Sequence, residues 1–339
     1  MENNGYIIGY KETKIGKIPI VSTALTLHDK AGALRVRFNF GRMNYNVNPG
    51  LYCTGDPGAD SEVFVTANYK LSFDMLRREL NGMNAWILVL DTKGINVWCA
   101  AGKGTFGTEE LAGRIIGSKI RQLVGHKRII LPQLGAVGVE AHTVKKITGM
   151  IVIYGPVYAR DIRNFIGNNY MKNPEMKQVN FNFRDRLVLV PVEVAGSLIL
   201  AAAVSLLGAV FGFFENWKLG FNILYGVIPY LGAVLAGTIA VPLMLPVIPS
   251  RSFAIKGLLA GIVWSLIVSS ILHANAAGFI VNMLVLPPIS SFLALNFTGA
   301  TTFTSLKGVR FEIKFALPLF ALSVLLGITA KILNIFKII

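Results

Sequence analysis

Residues 187–339 carry only eight Lys or Arg and three Asp or Glu, and this scarcity of charge decides what half of the chain can become. A spanning helix needs about 20 mainly apolar residues, since lipid offers its backbone no hydrogen-bond partner. Leu187–Phe214 supplies one such stretch, with Glu193 as its only charge. Phe221–Ile248 supplies a second, without charge. Gly257–Leu306 has no Asp, Glu, Lys or Arg, is too long for one span, and is divided by the polar step His273-Ala274-Asn275. Phe315–Phe336 gives a fifth, in which Lys331 can snorkel to the interface. The expectation is an all-α transmembrane domain of about five helices over 187–339. Glu193 reads as an interfacial residue rather than part of an ion path, and His273 as a loop residue at a helix end.

Basic residues beside the spans set the orientation. If the spans alternate, Arg184, Arg186, Arg251, Lys256, Lys307, Arg310 and Lys314 fall on one side, and Lys218 and Lys337 on the other. The N-terminal domain is therefore expected on the cytoplasmic face of the inner membrane, with the C-terminus outside. Lys11, Glu12, Lys14 and Lys17 interrupt any apolar run near Met1, so a signal peptide is not expected. Residues 1–186 hold 25 basic and 15 acidic residues of a chain whose net charge is +15. The cations are spread over the sequence without a clustered, aromatic-interleaved patch, which argues against nucleic acid and fits an anionic membrane surface.

The N-terminal half alternates between two-residue and 3.6-residue periodicity. Residues 62–67, 85–91, 128–131 and 150–154 read as strands; 71–81, 108–124, 139–147 and 159–166 read as helices. Thr108 starts its helix, with Glu109 and Glu110 in the first turn. Strands alternating with helices imply an α/β, Rossmann-like parallel sheet with right-handed crossovers. Pro19–Leu27 and Ala33–Phe40 read as a β-hairpin capping it. The expected organisation is a ligand-binding domain over 1–166, a linker over 167–186 and the membrane domain over 187–339. Ligands of open α/β sheets bind beyond the carboxyl ends of the strands. Those ends hold Thr66, Asn68, Gln133, Gly135, Ala136, Gly138, Tyr154 and Gly155, where small residues admit a large flat ligand.

Two cysteines, Cys53 and Cys99, form no CxxC pair and cannot hold an iron–sulfur cluster. Cys99 lies in Asn96-Val97-Trp98-Cys99-Ala100-Ala101-Gly102-Lys103. Asn96 stands where a helix N-cap would stand, and Gly102 and Gly104 end the helix after about two turns. Cys99 then occupies the third helical position, with Lys103 four residues on and on the same face. Both placements favour thiolate, the form that binds soft metals. Ala100 and Ala101 keep the helix slim for a broad planar ligand, and Trp98 supplies an apolar anchor. A phosphate-binding loop is excluded, because Val97 and Gly104 replace the required Gly and Ser or Thr. A nucleophilic Cys would need a base such as His126 or His142, which spacing does not place, and an inert buried Cys stays open as a reading.

The segment Asn96–Lys103, continued by Gly104-Thr105-Phe106-Gly107-Thr108-Glu109-Glu110, resembles the cap helix of the corrinoid protein of microbial mercury methylation (HgcA family). Two further stretches, 65–74 and 132–138, resemble that family and the related corrinoid iron–sulfur protein of acetyl-CoA synthesis. Asn296–Ser305 in the membrane half is similar as well. This resemblance implies a cobalamin-type corrinoid bound base-off, with Cys99 as lower cobalt ligand and 96–103 plus the strand-end residues forming its site. It implies a methyltransferase passing methyl from cobalt to Hg(II). It also implies a ferredoxin-like iron–sulfur partner that supplies electrons and delivers Hg(II), and a methylated folate, acting through a methyltransferase, as methyl donor. The alternatives are a corrinoid carrier for another acceptor, of acetyl-CoA-pathway or metalloid type, and a membrane transporter or sensor.

Overall fold

The computed structural model describes residues 5–216, 220–297 and 306–336. Two compact units divide the chain, one of Met1–Val36 and Phe40–Asn180, the other of Arg37–Asn39 and Phe181–Ile339.

The first unit is built on seven strands: β1 (Ile7–Thr13), β2 (Gly16–Val21), β3 (Gly50–Thr54), β4 (Val63–Ala67), β5 (Ala85–Leu90), β6 (Arg128–Leu131) and β7 (Ile151–Tyr154). Their order in the sheet is β1-β2-β3-β5-β4-β6-β7. Strands β5, β4, β6 and β7 are mutually parallel, so their carboxyl ends share one edge. Every residue of β4 and β5 is buried, as strands covered on both faces require. Helices α1 (Leu27–Arg37), α2 (Lys70–Glu79), α3 (Val97–Lys103), α4 (Thr108–Gly117), α5 (Ala141–Thr148) and α6 (Ile162–Gly167) complete the unit.

The α/β class is as expected, but the sheet is mixed, since β3 pairs antiparallel with β5 and β1 with β2. The hairpin is β1–β2 and lies upstream of the expected one. Its turn is closed by the Thr13 hydroxyl, which donates to the Gly16 carbonyl at 2.6 Å. Much of the expected hairpin is instead α1. Thr26 and Asp29 start it reciprocally: the Thr26 N–H donates to Asp29 Oδ2 at 2.9 Å, and the Asp29 N–H to Thr26 Oγ1 at 3.2 Å. That capping exchange overrides the strand-like apolar alternation. The helix expected over 108–124 stops at Gly117, because Lys119 turns left-handed (φ 53°) into a short 3₁₀ turn, Ile120–Gln122.

A buried ionic cluster fixes α2 against α1. Lys70 Nζ lies 2.5 Å from Asp29 and 2.7 Å from Asp74, while Arg77 reaches Asp29 at 2.9 Å and Asp74 at 2.7 Å. Burial alone would raise the Asp29 carboxyl, but its bonds to Lys70 and Thr26 hold it well below the usual carboxylate range. The segment after α6 is more ordered than a linker. Met176 is buried in the core of the first unit, and its carbonyl accepts the Val157 N–H at 2.9 Å.

The second unit holds five helices, among the described residues, long and apolar enough to cross a membrane: Phe183–Glu215, Ile223–Leu243, Phe253–Ile271, Ala276–Asn296 and Gly308–Ile335. The first contains α7 (Phe183–Leu187), capped reciprocally by Asn182 and Asp185, and α8 (Val190–Asn216), with Glu193 in its first turn. The second contains α9 (Asn222–Leu235), a π-helical segment (Ala236–Ala240) and α10 (Val241–Leu243). Helices α11 (Phe253–Ile271) and α12 (Ala276–Asn296) meet at the predicted step, where His273 is left-handed (φ 47°) and Asn275 caps α12. Helix α13 (Leu306–Ile335) begins well before the expected Phe315, since charges end an apolar run without ending a helix. Lys331 bonds the Glu215 carboxylate instead of snorkelling freely. Lys218, Lys337 and residues 298–305 of the Asn296–Ser305 motif lie outside the described residues.

Candidate functional site

Helix α3 forms where expected. Asn96 is its N-cap, and its side-chain oxygen accepts the Cys99 N–H at 2.9 Å. Gly104, left-handed at φ 81°, closes the helix at the other end. Val97, Ala100 and Ala101 point into the core, whereas Trp98, Cys99, Gly102 and Lys103 are exposed. One face is therefore packed and the other presents the thiol.

That division bears on three residues. Ala100 and Ala101 are buried, so the small side chains face the protein interior. A Cβ on Gly138 would stand 2.2 Å from the Phe106 carbonyl oxygen and 3.0 Å from the Ala101 Cα, so the 133–138 loop and the helix touch backbone to backbone. Gly135 is likewise filled by the Phe106 ring, 2.5 Å from where a Cβ would sit. Trp98 is 43% exposed and walls a cavity. Gly102 differs from these glycines, because a Cβ there would meet nothing within 4 Å. Open space therefore lies beside Cys99.

The cavity has a volume of about 370 Å³ and opens at the carboxyl edge of the sheet. Of the strand-end residues singled out in the sequence, Thr66 and Gly155 line it, together with Asn96, Val97 and Trp98 of the α3 segment. Sequence reasoning missed its other walls, Leu71, Met75 and Leu76 of α2 and Val157 and Ile162 beside α6. The i, i+4, i+5 spacing of Leu71, Met75 and Leu76 was the available signal, but it reads equally as core packing. Cys99 is exposed outside this cavity, one residue after Trp98.

Other expected site residues are committed elsewhere. Asn68 is buried, and its oxygen accepts from Thr92 N–H, Thr92 hydroxyl and Gly94 N–H at 3.1, 2.8 and 3.0 Å. Its oxygen thereby shapes the turn that launches α3. The Tyr154 hydroxyl donates to the Val139 carbonyl at 2.5 Å, and burial raises its pKa. Gln133 accepts from Lys172, and Ala136 is half-buried behind it. Thr108 does not cap α4; its hydroxyl accepts the Glu140 N–H at 2.9 Å, and Gly107 is the cap residue. Glu110 accepts from Asp91 N–H at 2.8 Å and from Arg114, so the turn is tied on both sides.

Cys53 is separate from all of this. It is fully buried on β3, donates to the Pro19 carbonyl at 3.6 Å, and has its thiol pushed up to about 11 by burial. No cluster of three or more His, Cys, Asp or Glu suited to a metal occurs among the described residues.

Fold and site together define an α/β unit, with a thiol-bearing capped helix at its sheet edge, joined to a set of membrane-length helices. Its relatives are subunits of one kind of complex. A family model described as the CO dehydrogenase/acetyl-CoA synthase delta subunit matches residues 35–166. The gamma subunit of the acetyl-CoA decarbonylase/synthase complex of Archaeoglobus fulgidus is 29% identical over 182 residues, covering 50% of this chain and 38% of that subunit. The corresponding subunit of Methanocaldococcus jannaschii is 31% identical over 128 residues, 37% of this chain and 26% of its own. The chain thus spans well under half the length of these relatives, and it is related to this acetyl-CoA-pathway group through its first unit.

Proposed function

We propose that the first unit is a corrinoid-binding methyl carrier of the acetyl-CoA-pathway type, in which Cys99 is the lower ligand of cobalt. One observation carries this reading: the exposed free thiol sits on a capped helix, with open space at Gly102 and an apolar cavity beside Trp98. When bound, the corrinoid supplies a cobalt-held methyl group. The protein's residues supply its setting. Cys99 offers a soft sulfur ligand that donates electron density to the metal. Asn96 fixes the turn that carries it, and Lys103 adds a positive charge one turn away. The cavity walled by Thr66, Leu71, Val97, Trp98 and Gly155 would hold an apolar part of the corrinoid beside Cys99. Gly135, Gly138 and Asn68 act one layer back, holding α3 in place.

The named relatives favour an acceptor of the acetyl-CoA-pathway kind. Hg(II) is the second reading, and it is favoured by the combination, in one chain, of the cap-helix thiol with helices of membrane length. Under either reading the chain needs an external reductant, a ferredoxin-like protein, and an external methyl source such as a methylated folate. We further propose an inner-membrane protein with its first unit cytoplasmic, because the basic residues flanking the spans gather on that side.

Purified full-length protein loaded with methylcobalamin is the test. Bound corrinoid should be visible by absorbance, and Cys99→Ala should alter that spectrum; an unaltered spectrum removes Cys99 from cobalt. Thiol-bound Hg(II) and an acetyl-CoA synthase are then offered as acceptors in separate assays. Methylmercury would select the second reading, and methyl transfer to the synthase the first. A chain that takes up no corrinoid would return the spans to a transporter or sensor role.

A further inference from the structure

From Lys30 to Gly55 the sequence contains no Asp or Glu, while Lys30, Arg35, Arg37 and Arg42 fall within it. Folding turns this run into a face, although the linear sequence shows no such patch. Val36 is fully buried, Asp29 is consumed by Lys70 and Arg77, and a Cβ on Gly32 would lie 2.5 Å from the Tyr45 hydroxyl oxygen. These residues hold one side of α1 against the protein. The other side shows Leu27 and Leu34, 84% and 56% exposed, seven residues apart and so on one helical stripe. Just beyond the helix, Phe40 and Met43 are 62% and 64% exposed. Lys30 and Arg35 are exposed beside them.

We propose that this face, α1 with residues 40–43, is an interfacial anchor that lies in the headgroup region of an anionic bilayer. Aliphatic and aromatic side chains flanked only by cations are the chemistry of helices that lie in a membrane surface. The one acid of the helix, Asp29, is turned inward to Lys70 and Arg77, so neither α1 nor residues 40–43 present a free carboxylate here. The same chain carries membrane-length helices, which keep a bilayer tethered to this unit. A nucleic acid or an acidic protein would pair with the cations but would leave Leu27, Leu34, Phe40 and Met43 without an apolar counterpart. The proposal does not depend on the corrinoid reading.

The experiment uses the full chain in a Cys99→Ser background, with an environment-sensitive dye on Leu34→Cys or Met43→Cys. A dye on Ile116→Cys, a 59% exposed position on α4, is the control. The proteins are reconstituted in phosphatidylcholine with phosphatidylglycerol, and in phosphatidylcholine alone. Dyes at 34 and 43 should be quenched by headgroup-level nitroxide lipid, and the dye at 116 should not. The Arg35→Glu, Arg42→Glu pair should reduce that quenching, with association weakening about fivefold per charge removed, and high salt should do the same. Quenching at 34 and 43 no greater than at 116 overturns the proposal. So does quenching indifferent to lipid charge, or shielding from both lipid nitroxide and aqueous iodide, which would mean that protein covers the face.

Discussion

The Asn68 side-chain oxygen accepts the Gly94 N–H at 3.0 Å, so a residue at the end of β4 dictates the turn after β5. The same oxygen accepts the Thr92 N–H at 3.1 Å, and the one Thr92 hydroxyl proton lies within reach of both that oxygen, at 2.8 Å, and the Ile95 carbonyl, at 2.6 Å. Asn96, the cap of α3, follows directly. The position of Cys99 at the sheet edge is therefore set from the neighbouring strand.

Removing that oxygen should loosen the helix that bears the thiol. Asn68→Ala leaves the Thr92 and Gly94 N–H groups buried without acceptors, at about 1–3 kcal/mol each. A lower unfolding midpoint is expected, together with a changed alkylation rate at Cys99. Unchanged values for both would show that the turn holds itself.

Gly138 tests the other support. A side chain there collides with backbone at Phe106 and Ala101, which cannot move aside as a flexible side chain would. Gly138→Ala should cost about 1–3 kcal/mol and displace α3. Gly102→Ala, with open space around its Cβ, should leave stability within about 1 kcal/mol while placing a methyl beside Cys99. A shift in Trp98 fluorescence in the first variant and not in the second checks the distinction.

Asp29 predicts an acid limb. Its folded carboxyl is held well below the unfolded value of about 3.9, so its stabilisation is fully present above that value and drains away as pH falls further. Stability of the first unit should be insensitive to this group near neutrality and decline below about pH 4. Asn at this position leaves Lys70 and Arg77 short of a buried counter-charge, a loss of about 3–5 kcal/mol at pH 7. Denaturation midpoints against pH for the natural protein and Asp29→Asn would reveal the limb, and its absence from the variant.

Legibility in the sequence followed the range of the interactions involved. The four parallel strands, α3 with its Asn96 cap, and the break at His273-Ala274-Asn275 rest on local pattern, and each emerged near its expected place. The first hairpin and α1 depart from the expected pair because Thr26 and Asp29 act as a reciprocal cap, which outweighs the alternation of apolar residues. The roles of Asn68, Gly135 and Gly138 were hidden for a different reason. Their partners Gly94, Phe106 and Ala101 are distant in sequence, so local pattern singled the residues out without showing these supporting contacts. The cavity walls on α2 carried the pattern of an ordinary amphipathic helix.

The two thiols should separate cleanly. Cys53 is enclosed in the sheet with a thiol pushed up to about 11, whereas Cys99 stands exposed on its helix. Since thiolate is the reactive form, and access also limits attack, only Cys99 should react with an aromatic disulfide reagent in the native protein near pH 8. One thiol per chain is expected before denaturation and two after it, and Cys99→Ser should reduce the native count to none. Corrinoid loading then gives a sharper reading of the same number. Sulfur engaged with cobalt is withdrawn from the reagent, so the native count should fall toward zero in loaded protein and return when the corrinoid is removed. A loaded protein that still yields one reactive thiol would leave Cys99 free and place the cobalt ligand elsewhere.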